Sequence, residues 1–267
     1  MLIDPFDLPS LPVFASLSII LVLVTLAVGD FLGRHSSRRG TVNGTAISSA
    51  VAAILGLLAF MLAFTFNSAA ERYNERKALL LSEVNALSTT YLRADLLPNE
   101  ARKQVRSLLA EYIALRNFNP KAIDAEEFGR LLKRSDVIQQ QLWQQVATLS
   151  DAGYDGVRLS KFIDALNEVI DFHTSRLFVG SHYRIPLPIW GALFAVTALS
   201  MLAIGFQLGS GRRSSPQVAL ALALAFAVVI LLIADLDRSH EGFLTVDQTP
   251  MTELAIQVRA AEEKARQ

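Results

Sequence analysis

Gly56, Phe60, Phe64, Asn67 and Glu71 follow one another at steps of four and three residues. On a helix they share one face, which passes from apolar to polar along its length. Repeated by several copies around an axis, that face would stack Phe60 and Phe64 into aromatic rings. A narrow apolar constriction of this kind gates by dewetting, and Asn67 would offer amide donors at its mouth. The positive edges of the rings favour an anion over a cation. The other reading is that both phenylalanines face lipid or a neighbouring helix, the commonest fate of an aromatic in a membrane span. A stripe beside them, Ala52, Gly56, Ala59 and Ala63, is small enough for close helix contact within or between subunits. Just beyond, Arg72, Arg76 and Lys77 form a basic collar. It would draw anions toward a mouth built from Asn67, Glu71, Arg72 and Arg76, although Glu71 and Glu75 interleave and also fit a solvated, ion-paired face.

A second cluster lies near the C-terminus, where Asp235, Asp237, Glu241 and Asp247 surround Arg238 and Gly242. Oxygen ligands at this spacing suit a divalent cation such as calcium. The structural alternative is that carboxylates at the end of a span pair with Arg238, or with Arg72 and Arg76 of a neighbouring helix. The four histidines, His35, His173, His182 and His240, show neither metal-ligand nor triad spacing. On a bundle helix, an imidazole such as His173 is ordinarily satisfied or exposed. The absence of cysteine excludes disulfides, thiolate metal sites and cysteine catalysis. With no glycine-rich phosphate loop, serine elbow or kinase-like motif, nothing points to an enzyme or to a bound cofactor.

The elements that must position these residues begin with four apolar runs, Phe14 to Phe31, Thr45 to Phe66, Pro188 to Gly209 and Gln217 to Ala234. Each is close to the ~20 residues a helix needs to cross hydrocarbon. The first lacks a basic segment before it and is followed at once by a second run, so it reads as a retained span, not a secretory signal. Hydrophobic residues make up 52% of the 267, and the formal net charge is zero, which gives no pull toward nucleic acid. Membrane lipid is the implied surrounding. Inside the runs the polar groups are Gln207 and hydroxyls such as Ser18, Thr65, Thr197 and Ser200, with Asp30 at an edge. Pumps and ion-coupled transporters place ionisable groups at membrane depth, and none stands there.

Between the second and third runs the chain reads as helix throughout. A first amphipathic helix continues out of the second span, with Tyr73, Leu80, Val84, Leu87 and Tyr91 on one face, and stops before Pro98. A second spans roughly 100–117, burying Val105, Leu108, Leu109, Tyr112 and Ile113. A third starts at a capping box formed by Asp124 and Glu127 and buries Phe128, Leu131, Ile138, Leu142 and Val146. The last, about 157–179, buries Phe162, Leu166, Val169, Ile170 and Leu177 and ends before Pro186 and Pro188. The expected architecture is all-α: a four-span transmembrane helical bundle with an extramembrane helical stalk domain inserted between spans 2 and 3. Its divisions are 1–66 (arm and spans 1 and 2), 67–184 (extramembrane bundle), 185–235 (spans 3 and 4) and 236–267 (tail). Positive residues in the short loops, Arg34, Arg38, Arg39, Arg212 and Arg213, place those loops in the cytoplasm and the helical domain outside. Arg72, Arg76, Lys77, Arg176 and Arg184 argue the other way.

The stretch FTFNSAAERYNERKALLLSEVNAL resembles the segment of bacterial bestrophins in which a pore-lining helix leaves the membrane. Phe64, Asn67, Ala69 or Ala70, Arg72, Tyr73, Glu75 and Lys77 stand in the places of that motif, and Thr65 stands where a basic residue is frequent. LLIADLDRSHEGFLTV and RLFVGSHYRIPLPIWGALF are similar to the bestrophin-like domain, a bacterial membrane family, over nearly the whole chain. Asp235, Leu236, Asp237, Arg238 and Gly242 match its tail motif, and Ser239 and His240 depart from it. The resemblance implies a homo-oligomeric channel, a pentamer in the bestrophins, that passes chloride and related inorganic anions through a neck at Gly56, Phe60 and Phe64. It also implies termini and helical domain in the cytosol of a bacterium, opposite to the loop charges. The alternative function is a non-conducting membrane sensor or scaffold whose helical domain binds a protein partner.

Overall fold

In the computed structural model, which describes residues 9–38, 44–181, 183–211 and 215–265, the chain is all-helical. Among the described residues there are eight α-helices and no strand. They are α1 (Leu11–Ser37), α2 (Gly44–Arg93), α3 (Asn99–Arg116), α4 (Ala125–Asp151), α5 (Val157–Ser181), α6 (Leu187–Ser210), α7 (Pro216–Asp237) and α8 (Thr249–Ala265). A 3₁₀ turn, Ala94–Leu96, follows α2. Of the loop and terminal residues discussed above, Arg39, His182, Arg212 and Arg213 lie outside the described set.

Helices α1, α2, α6 and α7 are long and apolar enough to cross a membrane. This is a membrane protein. Prolines sit at the first turns of α1, α6 and α7, where the missing N–H removes no helical hydrogen bond. Asp124 caps α4 as its spacing predicts, its carboxylate accepting from the Glu127 N–H. Helix α2 runs 50 residues without a break, because nothing between Phe66 and Arg93 interrupts it, and it ends in the turn before Pro98. The segment from Thr249, read only as a tail in the sequence, is a further helix, α8. Its entry is fixed by Asp247, which accepts from the Thr249 N–H at 3.0 Å.

The chain forms two compact units. One comprises Asp7–Tyr73 and Arg184–Leu244. Its core gathers Val22, Leu58, Leu62, Leu193, Met201, Ile230 and Ile233. Helices α1 and α6 touch backbone to backbone along a seam of glycines. A Cβ on Gly29 or Gly33 would run into the Leu202 or Phe206 carbonyl, and one on Gly205 or Gly209 into the Leu26 or Asp30 carbonyl. Small residues four apart permit this approach, which in lipid supplies packing that the hydrophobic effect does not. Hydroxyls inside the spans are satisfied locally: Thr65 donates to the Met61 carbonyl and Thr197 to that of Leu193, each at 2.7 Å. Asp30, in the C-terminal part of α1, pairs with Arg34 one turn on at 2.8 Å.

The other unit comprises Asn74–Tyr183 and Thr245–Gln267. The stripes expected from periodicity meet in its core, with Leu80, Leu87, Val105, Leu109, Ile138, Leu142, Phe162 and Val169 buried. Met251, Leu254 and Val258 of α8 join them. Each fully buried aliphatic or aromatic side chain contributes about 1.5–3 kcal/mol.

Candidate pore-lining face and tail motif

Along α2, Gly56, Phe60, Phe64, Asn67 and Glu71 are all exposed in the single chain. Phe60 is 68% and Phe64 65% accessible, while Leu58, Leu62, Thr65 and Ala69 on the opposite side are buried. The helix therefore turns its aliphatic side inward and leaves its aromatic side bare. Asn67 donates from Nδ2 to the Glu71 carboxylate at 2.8 Å, so the amide and the acid at the end of the face act as one group. The small stripe of Ala52, Gly56, Ala59 and Ala63 is exposed as well, and nothing in the chain lies within 4 Å of a Cβ placed on Gly56. Close helix approach inside the chain is made by the glycines of α1 and α6 instead, whose four-residue spacing was the missed signal.

Arg72 and Arg76 do not share the face of Asn67 and Glu71. At about 100° of rotation per residue both lie well round the helix. Arg72 reaches Asp237 at 3.5 Å, and Arg76 is buried.

The tail motif closes on itself and on its neighbours. Asp235 accepts from the N–H groups of Phe243 at 2.8 Å and Leu244 at 3.2 Å. Gly242, with φ +102°, brings the chain so close over this carboxylate that a side chain would collide with it. Asp237 accepts from the Ile185 N–H at 2.9 Å. Arg238 pairs with Glu241 and donates to the Pro9 carbonyl at 2.7 Å, and Glu241 accepts from the Leu11 N–H at 2.8 Å. The guanidinium stands over the Phe14 ring, itself packed on Trp190 and Phe194. One end of α7 thus fastens the starts of α1 and α6 and touches α2. Among the described residues, no three His, Asp or Glu side chains gather as a metal site.

A buried polar group in the other unit went unread in the sequence. Glu83, fully buried, holds Arg116 at 2.8 Å and also pairs with Arg176. Beside them Tyr112 shares a hydrogen bond of 2.8 Å with His173 Nδ1, and Gln139 donates to the Tyr112 hydroxyl at 3.1 Å. These residues are spread over four helices, α2 to α5, so spacing along the chain gives no sign that the four sets meet. Burial, followed by the charge of Arg116, pushes the His173 pKa from 6.5 down to about 4, while Glu83, Asp136 at 3.6 Å and Arg176 also face the ring. Between those values the unfolded chain binds a proton that the folded chain refuses. Stability present above pH 6.5 is therefore lost as pH falls toward 4, with a slope of up to about 1.4 kcal/mol per unit. Melting curves recorded across this range should show that slope, and His173→Gln should flatten its part of it.

The bestrophin-like domain model matches residues 15–251. The chain belongs to the bestrophin-like domain family. Two point-variant crystal structures of a bacterial bestrophin homologue from Klebsiella pneumoniae superpose with a TM-score of 0.70 at 14% and 15% identity. They cover 92% of this chain and 99% and 98% of the homologue. A crystal structure of a membrane protein aligns with a TM-score of 0.68 at 13% identity over 94% of this chain and 98% of that one. At these identities the likeness is one of fold, and this bestrophin-like chain has the bestrophin fold. None of the curated proteins matches the sequence.

Proposed function

We propose that several copies of this chain surround an axis in a bacterial plasma membrane, with the Gly56, Phe60 and Phe64 face of α2 turned toward it, and form a passive ion channel. The extramembrane helices, inserted between spans 2 and 3, extend the bundle as a stalk. What supports the reading is the bare aromatic face itself. It is exposed in the single chain, it lies on the span whose sequence resembles the bestrophin pore helix, and it continues into the polar pair of Asn67 and Glu71 where the helix leaves the apolar run. Two stacked phenylalanine rings form a gate that dewets when narrow. Chloride is the ion that the resemblance supplies, and a pentamer the assembly.

Purified protein in planar bilayers should give single-channel currents. Phe60→Ala with Phe64→Ala should raise the open probability several-fold by widening the apolar neck. Absence of current across voltage, pH and calcium would sink the channel and favour the non-conducting sensor or scaffold.

A further inference from the structure

We infer that Phe243 is a lipid anchor, its ring seated at the boundary between headgroups and acyl chains beside the end of α7, and that the tail motif holds it there. The inference needs only the membrane spans and stands apart from the channel reading. Phe243 is 89% exposed, and among the described residues no large apolar side chain is barer. A single bare apolar residue on a loop is ordinary. This one is fixed in place. The chain leaves α7 at Asp237, yet the Phe243 N–H returns to the carboxylate of Asp235, two residues back along the helix, at 2.8 Å. Side chains on a helix lean toward its N-terminus, so that of Asp235 leans back along the span. At a rise of about 1.5 Å per residue, the loop brings Phe243 roughly 3 Å back from the helix end toward the apolar run.

The neighbours fix its level and its direction. Gly242 lies against Leu11, the first residue of α1, where a Cβ would stand 3.4 Å from the Leu11 Cδ2. Leu244, the next residue, packs on the apolar core of the spans, and its N–H shares the Asp235 carboxylate at 3.2 Å. One side of the loop is thus committed to protein, and the phenyl ring is left on the other. Glu241, the nearest acid along the loop, is taken up by Arg238 and the Leu11 N–H. Phe14 and Trp190, half-buried, stand at the same end of the spans, as does Leu187, 62% exposed at the start of α6. Aromatic rings collect where spans meet headgroups. A loop already fastened by Asp235 and Gly242 has little freedom left to lose when its ring enters lipid, so removal of the phenyl surface from water is retained as a net gain.

The chain has no cysteine, so Phe243→Cys carries a nitroxide label at one place only. Full-length labelled protein is reconstituted into vesicles of phosphatidylethanolamine and phosphatidylglycerol. Collisions of the label with oxygen, which concentrates among acyl chains, are then compared with those of a water-soluble nickel chelate. The expected result is an oxygen-to-nickel ratio several-fold above that of the free label in buffer. A ratio equal to that in buffer puts the position in water, and shelter from both probes puts it against a second copy or another part of the chain. Either overturns the inference. Phe243→Trp repeats the test with an aromatic ring in place: lipids brominated near the carbonyl should quench its added fluorescence, and quenching no greater than in the wild type overturns the inference as well.

Discussion

Glu83→Ala should cost about 3–5 kcal/mol of stability, because it leaves two guanidinium groups buried without their counter-charge. Arg116 is 3% exposed and its partner carboxylate is inaccessible, so water cannot take the place of the lost acid. For a fold whose total stability is of the order of 5–15 kcal/mol, that is a large fraction. Thermal melting in detergent should show a transition many degrees lower or none. The mechanism has its own control. Replacing Glu83, Arg116 and Arg176 together by apolar residues of similar volume removes the unpaired charge as well as the pair, and should recover most of the loss. A triple variant as unstable as Glu83→Ala would mean that the shape of the cluster, not its charge balance, carries the effect.

Gly205→Val should prevent α1 and α6 from packing. The new Cβ would overlap the Leu26 carbonyl, which is backbone and has no rotamer to change, and a branched side chain adds two further methyl groups to the same space. Overpacking of this kind costs typically about 1–3 kcal/mol, and more where rigid backbone opposes it. Gly209, one turn on, meets the Asp30 carbonyl in the same way, so a second substitution there should compound the damage. The check is the melting temperature and the detergent-resistant size of the purified protein. Gly56→Val serves as the contrast, since that glycine has open space around it within the chain and should leave the fold of the single chain intact.

Helices and their inner faces were legible because they are written in local periodicity. The capping box at Asp124, the stop at Pro98 and the stripes of α3 and α5 are each set by residues within a few positions of one another. The exposed face of Gly56, Phe60, Phe64, Asn67 and Glu71 was legible for the same reason. Arg72 and Arg76 show where such reading stops. Their proximity in sequence to Asn67 suggested one collar, and the turn of the helix separates them from it. The polar group around Glu83 and His173 joins α2, α3, α4 and α5, and no spacing rule reaches across four helices. Helix α8 was missed although Met251, Leu254 and Val258 stand at helical steps of three and four, because they are few and their burial depends on a core assembled by the rest of the unit.

The latch between Glu241 and the Leu11 N–H joins residues 230 positions apart. During synthesis at about 5–20 residues per second, α1 would enter the bilayer roughly 10–50 s before the acid that secures its first turn has been made. Its glycine seam waits nearly as long for α6. Throughout that interval the first span has neither its packing partner nor its anchor, which makes it the part of the nascent chain most in need of an insertase or chaperone to shelter it.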